Sequence, residues 1–187
     1  MQVPDTAQLN IVPFSYFDEW LYFPNIDVEY RYLLGTRGSK PLIVIGLNPS
    51  TATPQRPDPT IKRIMAIAEH NGFDSFIMLN LYAQRATKPE DLDNVCNPVL
   101  HTENLKAVKW ALEYAGRFYA NERIPVWCAW GNLIKSRSYL SDCKKDIQAV
   151  LASVSAELLC ISVTKEGQPI HPLYQKNGSK LIRWNDE

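Results

Sequence analysis

The chain has 187 residues and balances 20 Lys and Arg against 20 Asp and Glu, which suits one domain and excludes a general polycation. Hydrophobic residues at 45% against 21% charged exclude a disordered chain. No apolar run approaches the roughly 20 residues of a membrane span, and MQVPDTAQLN lacks the layout of a signal peptide, so a cytoplasmic protein without a membrane partner is expected.

The neutral sum is uneven along the chain. Residues 1–30 hold five acids (Asp5, Asp18, Glu19, Asp27 and Glu29) and no Lys or Arg, so residues 31–187 carry 20 basic against 15 acidic side chains, a net +5. Residues 1–40, with an aromatic, Pro-punctuated stretch from Phe14 to Tyr32, read as an extension packed on a single domain spanning 1–187. PLIVIGL (41–47) is a continuous β-branched run, the mark of a strand buried on both faces. A polar loop follows, and Asp58-Pro59-Thr60 opens a helix whose apolar face is Ile61, Ile64, Met65 and Ala68, stopped at Asn71-Gly72.

SFIMLNL (75–81) reads as a second buried strand, 102–115 as a second helix, and IPVWCAW (124–130) as a third strand. Ser141 is placed to cap a third helix through Ile147, Val150, Leu151 and Val154, and ELLCISV (157–163) is a fourth strand. This alternation predicts a three-layer α/β/α sandwich around a four-stranded, mainly parallel sheet with right-handed crossovers. Cys96, Cys128, Cys143 and Cys160 form no C-x-x-C pair and read as reduced thiols. With no zinc or nucleotide-cofactor fingerprint, no metal and no cofactor is expected.

In such folds ligands bind beyond the carboxyl ends of the strands. The four strands lead into Gly46-Leu47-Asn48-Pro49-Ser50-Thr51, Asn80-Leu81-Tyr82, Trp130-Gly131-Asn132 and, after a loop, His171-Pro172-Leu173-Tyr174. Singly, each suits an ordinary turn or strand end. Together they bring polar amides, a Trp-Gly corner and a histidine to one edge of the sheet, which is the expected site.

The ordered set IGLNPS, MLNL, AWG and IHPLY resembles the motifs of the uracil-DNA glycosylase superfamily. More closely, LNPSTA…DPTI…LNLYAQRAT…AWG…TKEGQPIHPLY resembles a bacterial family catalogued as a domain of unknown function, some relatives of which look like phage-defence glycosylases. The resemblance implies that the amide of Asn48 orients a water, that Asn80 reads a flipped base, that His171 stabilises the leaving base and that Leu173 fills the vacated stack. Ser50 stands where Gly or Tyr is usual, and the last loop reads His-Pro-Leu rather than His-Pro-Ser. Both departures point away from uracil itself.

The chemistry adds further candidates. Asp58 is a carboxylate in the loop that holds Asn48, able to assist the water, although capping the helix is its more ordinary role. Tyr82 and Tyr174 are placed to stack on the base, and Arg85 and Ser50 to touch a phosphate or a substituent on the base. Thr51, Arg56 and Thr60, with Lys135 and Arg137, offer contacts to DNA phosphates. The expected activity is a monofunctional DNA glycosylase that flips out and hydrolyses a modified pyrimidine, such as glucosylated hydroxymethylcytosine of phage DNA, leaving an abasic site. Its partner is double-stranded DNA, with no obligate protein partner. The rival readings are a uracil or mismatch repair glycosylase, a nucleoside or nucleotide hydrolase, and a non-catalytic reader of modified bases.

Overall fold

The computed structural model describes residues 19–24 and 28–185. Of the N-terminal acids, Asp5, Asp18 and Asp27 lie outside the described residues, as does the start of the aromatic stretch from Phe14. The four apolar runs become β3 (Pro41–Gly46), β4 (Ser75–Asn80), β5 (Ile124–Cys128) and β6 (Ala156–Cys160). Every residue of the first three is buried, because helices cover both faces of the sheet and leave no side open to water. These four strands pair in parallel, in the order β4-β3-β5-β6.

The sheet is larger than the sequence predicts. Among the described residues it has seven strands and is mixed: β1 (Trp20–Phe23), β2 (Leu33–Thr36) and β7 (Ile182–Arg183) join the four in the order β1-β2-β4-β3-β5-β6-β7. The added strands are all antiparallel to their neighbours. They are too short, at four, four and two residues, to show a period. Because β2 pairs with β4, residues 33–36 belong to the sheet rather than to an extension laid over it.

Three helices connect the parallel strands. Helix α1 (Pro59–His70) runs from β3 out to β4, α2 (Pro98–Gly116) from β4 back across β3 to β5, and α3 (Tyr139–Ala152) from β5 on to β6. Alternate residues of the strands divide the core in two. Leu42, Val44, Phe76, Met78 and Trp127 pack with Ile61, Ile64 and Ile67 of α1. Ile43, Ile45, Ile77, Leu79 and Val126 pack with Val108 and Leu112 of α2 and Ile147 of α3. The crossover that moves one way along the sheet lies on one face, and those that move the other way lie on the opposite face, as a single handedness requires. The loops leaving β3 and β5 therefore diverge, and a crevice opens between them.

Each helix differs from its expectation in detail. In α1, Met65 is 39% exposed and Ile67 is buried in its place. Helix α2 begins at Pro98, four residues early, behind an Asn97 cap that accepts from the amides of Val99 and Leu100. Ser141 lies within the first turn of α3, and Ser138, the residue at the cap position, makes no capping side-chain bond. No helix among the described residues is long and apolar enough to cross a membrane.

Candidate functional site

The crevice is a cleft of about 660 Å³, walled by the loops after β3, β4, β5 and β6 and by the start of α1. The loop after β3 is fixed by its neighbour. Beyond the strand ends, Leu81 N–H donates to Gly46 O (2.9 Å), Tyr82 N–H to Leu47 O (3.1 Å) and Ala86 N–H to Pro49 O (2.9 Å). Gly46 allows this approach: a Cβ there would stand 2.4 Å from Met78 Cε and 3.0 Å from the Asn80 amide.

Asn48 is half-buried and lines the cleft. Its Nδ2 donates to Ala86 O at 2.8 Å and to Pro49 O at 3.0 Å. Both amide protons are thus committed to backbone, and the function left to offer a ligand is the acceptor Oδ1. An acceptor held this firmly can take a proton of a water and fix where the water's lone pair points.

Asp58 caps α1, its Oδ1 accepting from Ile61 N–H at 2.9 Å, and it also lines the cleft. The cap occupies one carboxylate oxygen, so the two roles proposed for this side chain are compatible.

His171 reaches the same cleft from the loop after β6. Its Nδ1 accepts from Leu173 N–H at 3.3 Å, which assigns the proton of the neutral ring to Nε2. Burial pushes its pKa below the ordinary 6.5, with the nearby charge of Asp58 acting in the opposite direction. The ring is neutral at neutral pH and presents an N–H donor. Gly131 holds the opposing loop. Its φ of +71° is a conformation that other residues rarely adopt, and its N–H donates to Pro169 O at 2.9 Å, joining the loops after β5 and β6. Trp130 is fixed as a buried wall by Nε1–H donating to Gln168 Oε1 at 2.9 Å.

Ser50, Thr51, Thr60, Leu173 and Tyr174 also line the cleft. Leu173 is 43% and Tyr174 78% exposed, large apolar surfaces at the lip.

The structure does not bring the other candidates into it. Asn80 is fully buried beneath the Asn48 loop. The amide orientation that satisfies its surroundings donates to the carbonyls of Leu79 and Asn48 at 3.3 Å, so Asn80 supports the loop instead of facing a ligand. Tyr82 is also fully buried; its hydroxyl accepts from Asn97 N–H at 2.9 Å and its ring packs on Tyr139, so it is core. Arg85 braces the loop from behind, donating to Ser50 O and to the Tyr22 hydroxyl.

Lys135 is ion-paired with Glu166. Arg137 donates to the backbone carbonyls of Leu92 (2.9 Å), Asp93 (3.2 Å) and Ser136 (2.8 Å), stapling two loops together. Arg56 is exposed in a turn with Thr53, outside the cleft lining. Among the described residues no cluster of His, Cys, Asp and Glu is placed to hold a metal, and all four cysteines are free thiols.

Arg31 is the charged residue of the lining that sequence reasoning missed. It is 2% exposed, and its Nη1 donates to Ala52 O at 2.7 Å. Its signal was a lone cation within the run Tyr30-Arg31-Tyr32-Leu33-Leu34.

Residues 31–173 match the model of a family described as "Protein of unknown function (DUF1643)", and the chain belongs to that family. Comparison with curated proteins and with solved structures found no match.

Proposed function

From membership in DUF1643 and the geometry of the cleft, we propose that the chain is a DNA glycosylase of uracil-DNA glycosylase-like fold acting on a modified pyrimidine in double-stranded DNA. The observation that carries this reading is the convergence on one cleft of an immobilised amide acceptor, a carboxylate and a neutral imidazole N–H.

Hydrolysis of an N-glycosidic bond passes through an oxocarbenium-like sugar. The water oxygen forms a bond to C1′ while the C1′–N bond breaks, its electron pair leaving on the base. Asn48 Oδ1 accepts from the water and holds it in line. Asp58 stabilises the positive sugar and takes up the proton that the water loses. His171 Nε2–H donates to an oxygen or nitrogen of the base as negative charge gathers there, an electrostatic contribution of about 3–4 kcal/mol for one well-aimed donor. A neutral imidazole suits this task because it stabilises the base without first having to bind a proton.

A base inside a duplex is out of reach of any such cleft and must flip, at a cost of a few kcal/mol. Leu173 and Tyr174 at the lip supply the apolar surface that fills the vacated stack. The cleft, about 660 Å³, has room for a base carrying a bulky substituent. The cleft's open reach also suits a whole nucleotide, the second reading: a nucleoside or nucleotide hydrolase using the same groups.

The reading is tested with Asn48→Ala on duplex substrates. The variant should keep the wild-type circular dichroism and lose excision by about 10²-fold or more. Undiminished excision would remove Asn48 from the mechanism. Cleavage of free nucleosides in preference to duplexes would instead favour the second reading.

A further inference from the structure

Burying a charge is costly unless it is paired, so a buried charge without a partner beside a cleft calls for a reason. Among the described residues the buried charged side chains are Arg31 and Glu103. Glu103 is paired with Lys106. Arg31 makes no ion pair among the described residues, although the charge of Asp58 is near enough to act on it: there its guanidinium donates to the neutral carbonyl of Ala52, and its Nε has no partner. Burial, with the charge of Arg85 acting the same way, lowers its pKa to about 10 against the opposing pull of Tyr22 and the Asp58 carboxylate. The side chain nevertheless remains a cation at neutral pH. Two guanidinium groups therefore lie behind the same segment, Arg31 on the carbonyl of Ala52 and Arg85 on that of Ser50.

A second source of positive potential opens on the same place. The N-terminus of the 12-residue helix α1 lines the cleft through Asp58, Pro59 and Thr60. Asp58 Oδ1 takes the amide of Ile61, the Asp58 carbonyl takes that of Lys62, and Pro59 has no N–H. Thr60 N–H is the first-turn donor left over. Against this, the carboxylate of Asp58 is the one acid in the cleft lining. The balance at the floor is positive.

We infer that the floor of the cleft, between Arg31 and the N-terminus of α1, is a phosphoryl-binding subsite in which the Arg31 guanidinium and Thr60 N–H hold anionic oxygens. The ligand is a phosphoryl group, whether the free phosphate ester of a mononucleotide or an internucleotide phosphate of a strand. Arg31 donates only, so a neutral group presenting N–H or NH₂ finds no acceptor in it. The inference concerns binding and stands whether or not a glycosidic bond is hydrolysed.

Titration calorimetry on the wild-type protein with inorganic phosphate, deoxycytidine, deoxycytidine monophosphate and a short single-stranded oligodeoxynucleotide tests it. The monophosphate should bind at least about tenfold more tightly than the nucleoside, reflecting one charge-assisted contact. Inorganic phosphate should compete with it. In Arg31→Met, with the wild-type circular dichroism retained, the two ligands should differ by no more than about twofold, because the substitution removes the buried cation and keeps its bulk. Tighter binding of the oligonucleotide than of the monophosphate assigns the phosphoryl group to a strand, and the reverse assigns it to a free nucleotide. Equal affinity of the wild-type protein for nucleoside and monophosphate would overturn the inference without recourse to any variant. So would discrimination that survives in Arg31→Met. Absence of abasic product, with phosphate selectivity intact, would overturn only the glycosylase reading.

Discussion

His171 shows how much a single hydrogen bond decides. The amide of Leu173 on Nδ1 fixes the tautomer, and burial keeps the ring neutral, so the group offered to the cleft is a donor. The pH dependence has a definite sign. The folded-state pKa lies below 6.5, so the ring gains a proton only in acid below that value. If the neutral ring is the active form, excision should be level at neutral pH and decline only in acid below 6.5, and His171→Gln should lack that acid limb. A pH–rate profile read with a substrate in excess checks this. An acid limb that persists unchanged in the glutamine variant would assign it to another group. Burial of the same ring also costs stability in acid: the unfolded chain takes up this proton more readily, so the contribution of His171 is intact above 6.5 and is lost as pH falls from there through the lower folded-state pKa.

At the scale of elements, the sequence revealed what depends on local pattern and hid what depends on depth. β3, β4 and β5 were legible because burial on both faces makes them unbroken apolar runs. Helix α1 was legible from Asp58-Pro59, and Asn97-Pro98 repeats that signal at the true start of α2. β2 was not, because four residues with a glycine among them carry no period and the strand exists by pairing with β4. The site divides in the same way. The loops bearing Asn48 and His171 follow from chain order and the geometry of parallel sheets. Asn80 and Tyr82 occupy the end of a strand just as plausibly, yet both lie under the surface, and linear sequence does not distinguish a side chain above a loop from one below it.

The cap of α1 yields a prediction at this scale. Asp58→Ala should cost about 1 kcal/mol in denaturant unfolding, whereas Asp58→Asn, an equally good cap, should stay within a few tenths of a kcal/mol of wild type. The asparagine variant separates the two roles of the side chain. Its excision rate should fall about 10²-fold if the carboxylate assists the water. Wild-type activity in Asp58→Asn would leave the residue as a cap alone.

For the whole molecule, equal numbers of acids and bases conceal a body of net +5 from residue 31 onward. The structure reduces what this body can give to DNA, since Lys135 is paired with Glu166 and Arg137 and Arg85 are spent on backbone carbonyls. Binding to duplex should therefore be modest and salt-dependent. With about three phosphate contacts, affinity should drop roughly 10–100-fold between about 50 and 200 mM salt, measured by fluorescence anisotropy on an unmodified duplex. A slope near zero would place recognition entirely within the cleft.

Hydrolysis in the cleft of the glycosidic bond of a modified pyrimidine, as proposed, is measured by incubating the protein with duplex oligonucleotides that differ at one position, carrying cytosine, uracil, hydroxymethylcytosine or its glucosylated form. The strand is then treated with alkali, and the released base is weighed by mass spectrometry. An alkali-labile break at the modified position is expected together with the free modified base, faster than at uracil, and both at least about 10²-fold slower with Asn48→Ala. Tight binding to the modified duplex without release of a base, after prolonged incubation, would contradict it and leave the protein a reader of modified DNA.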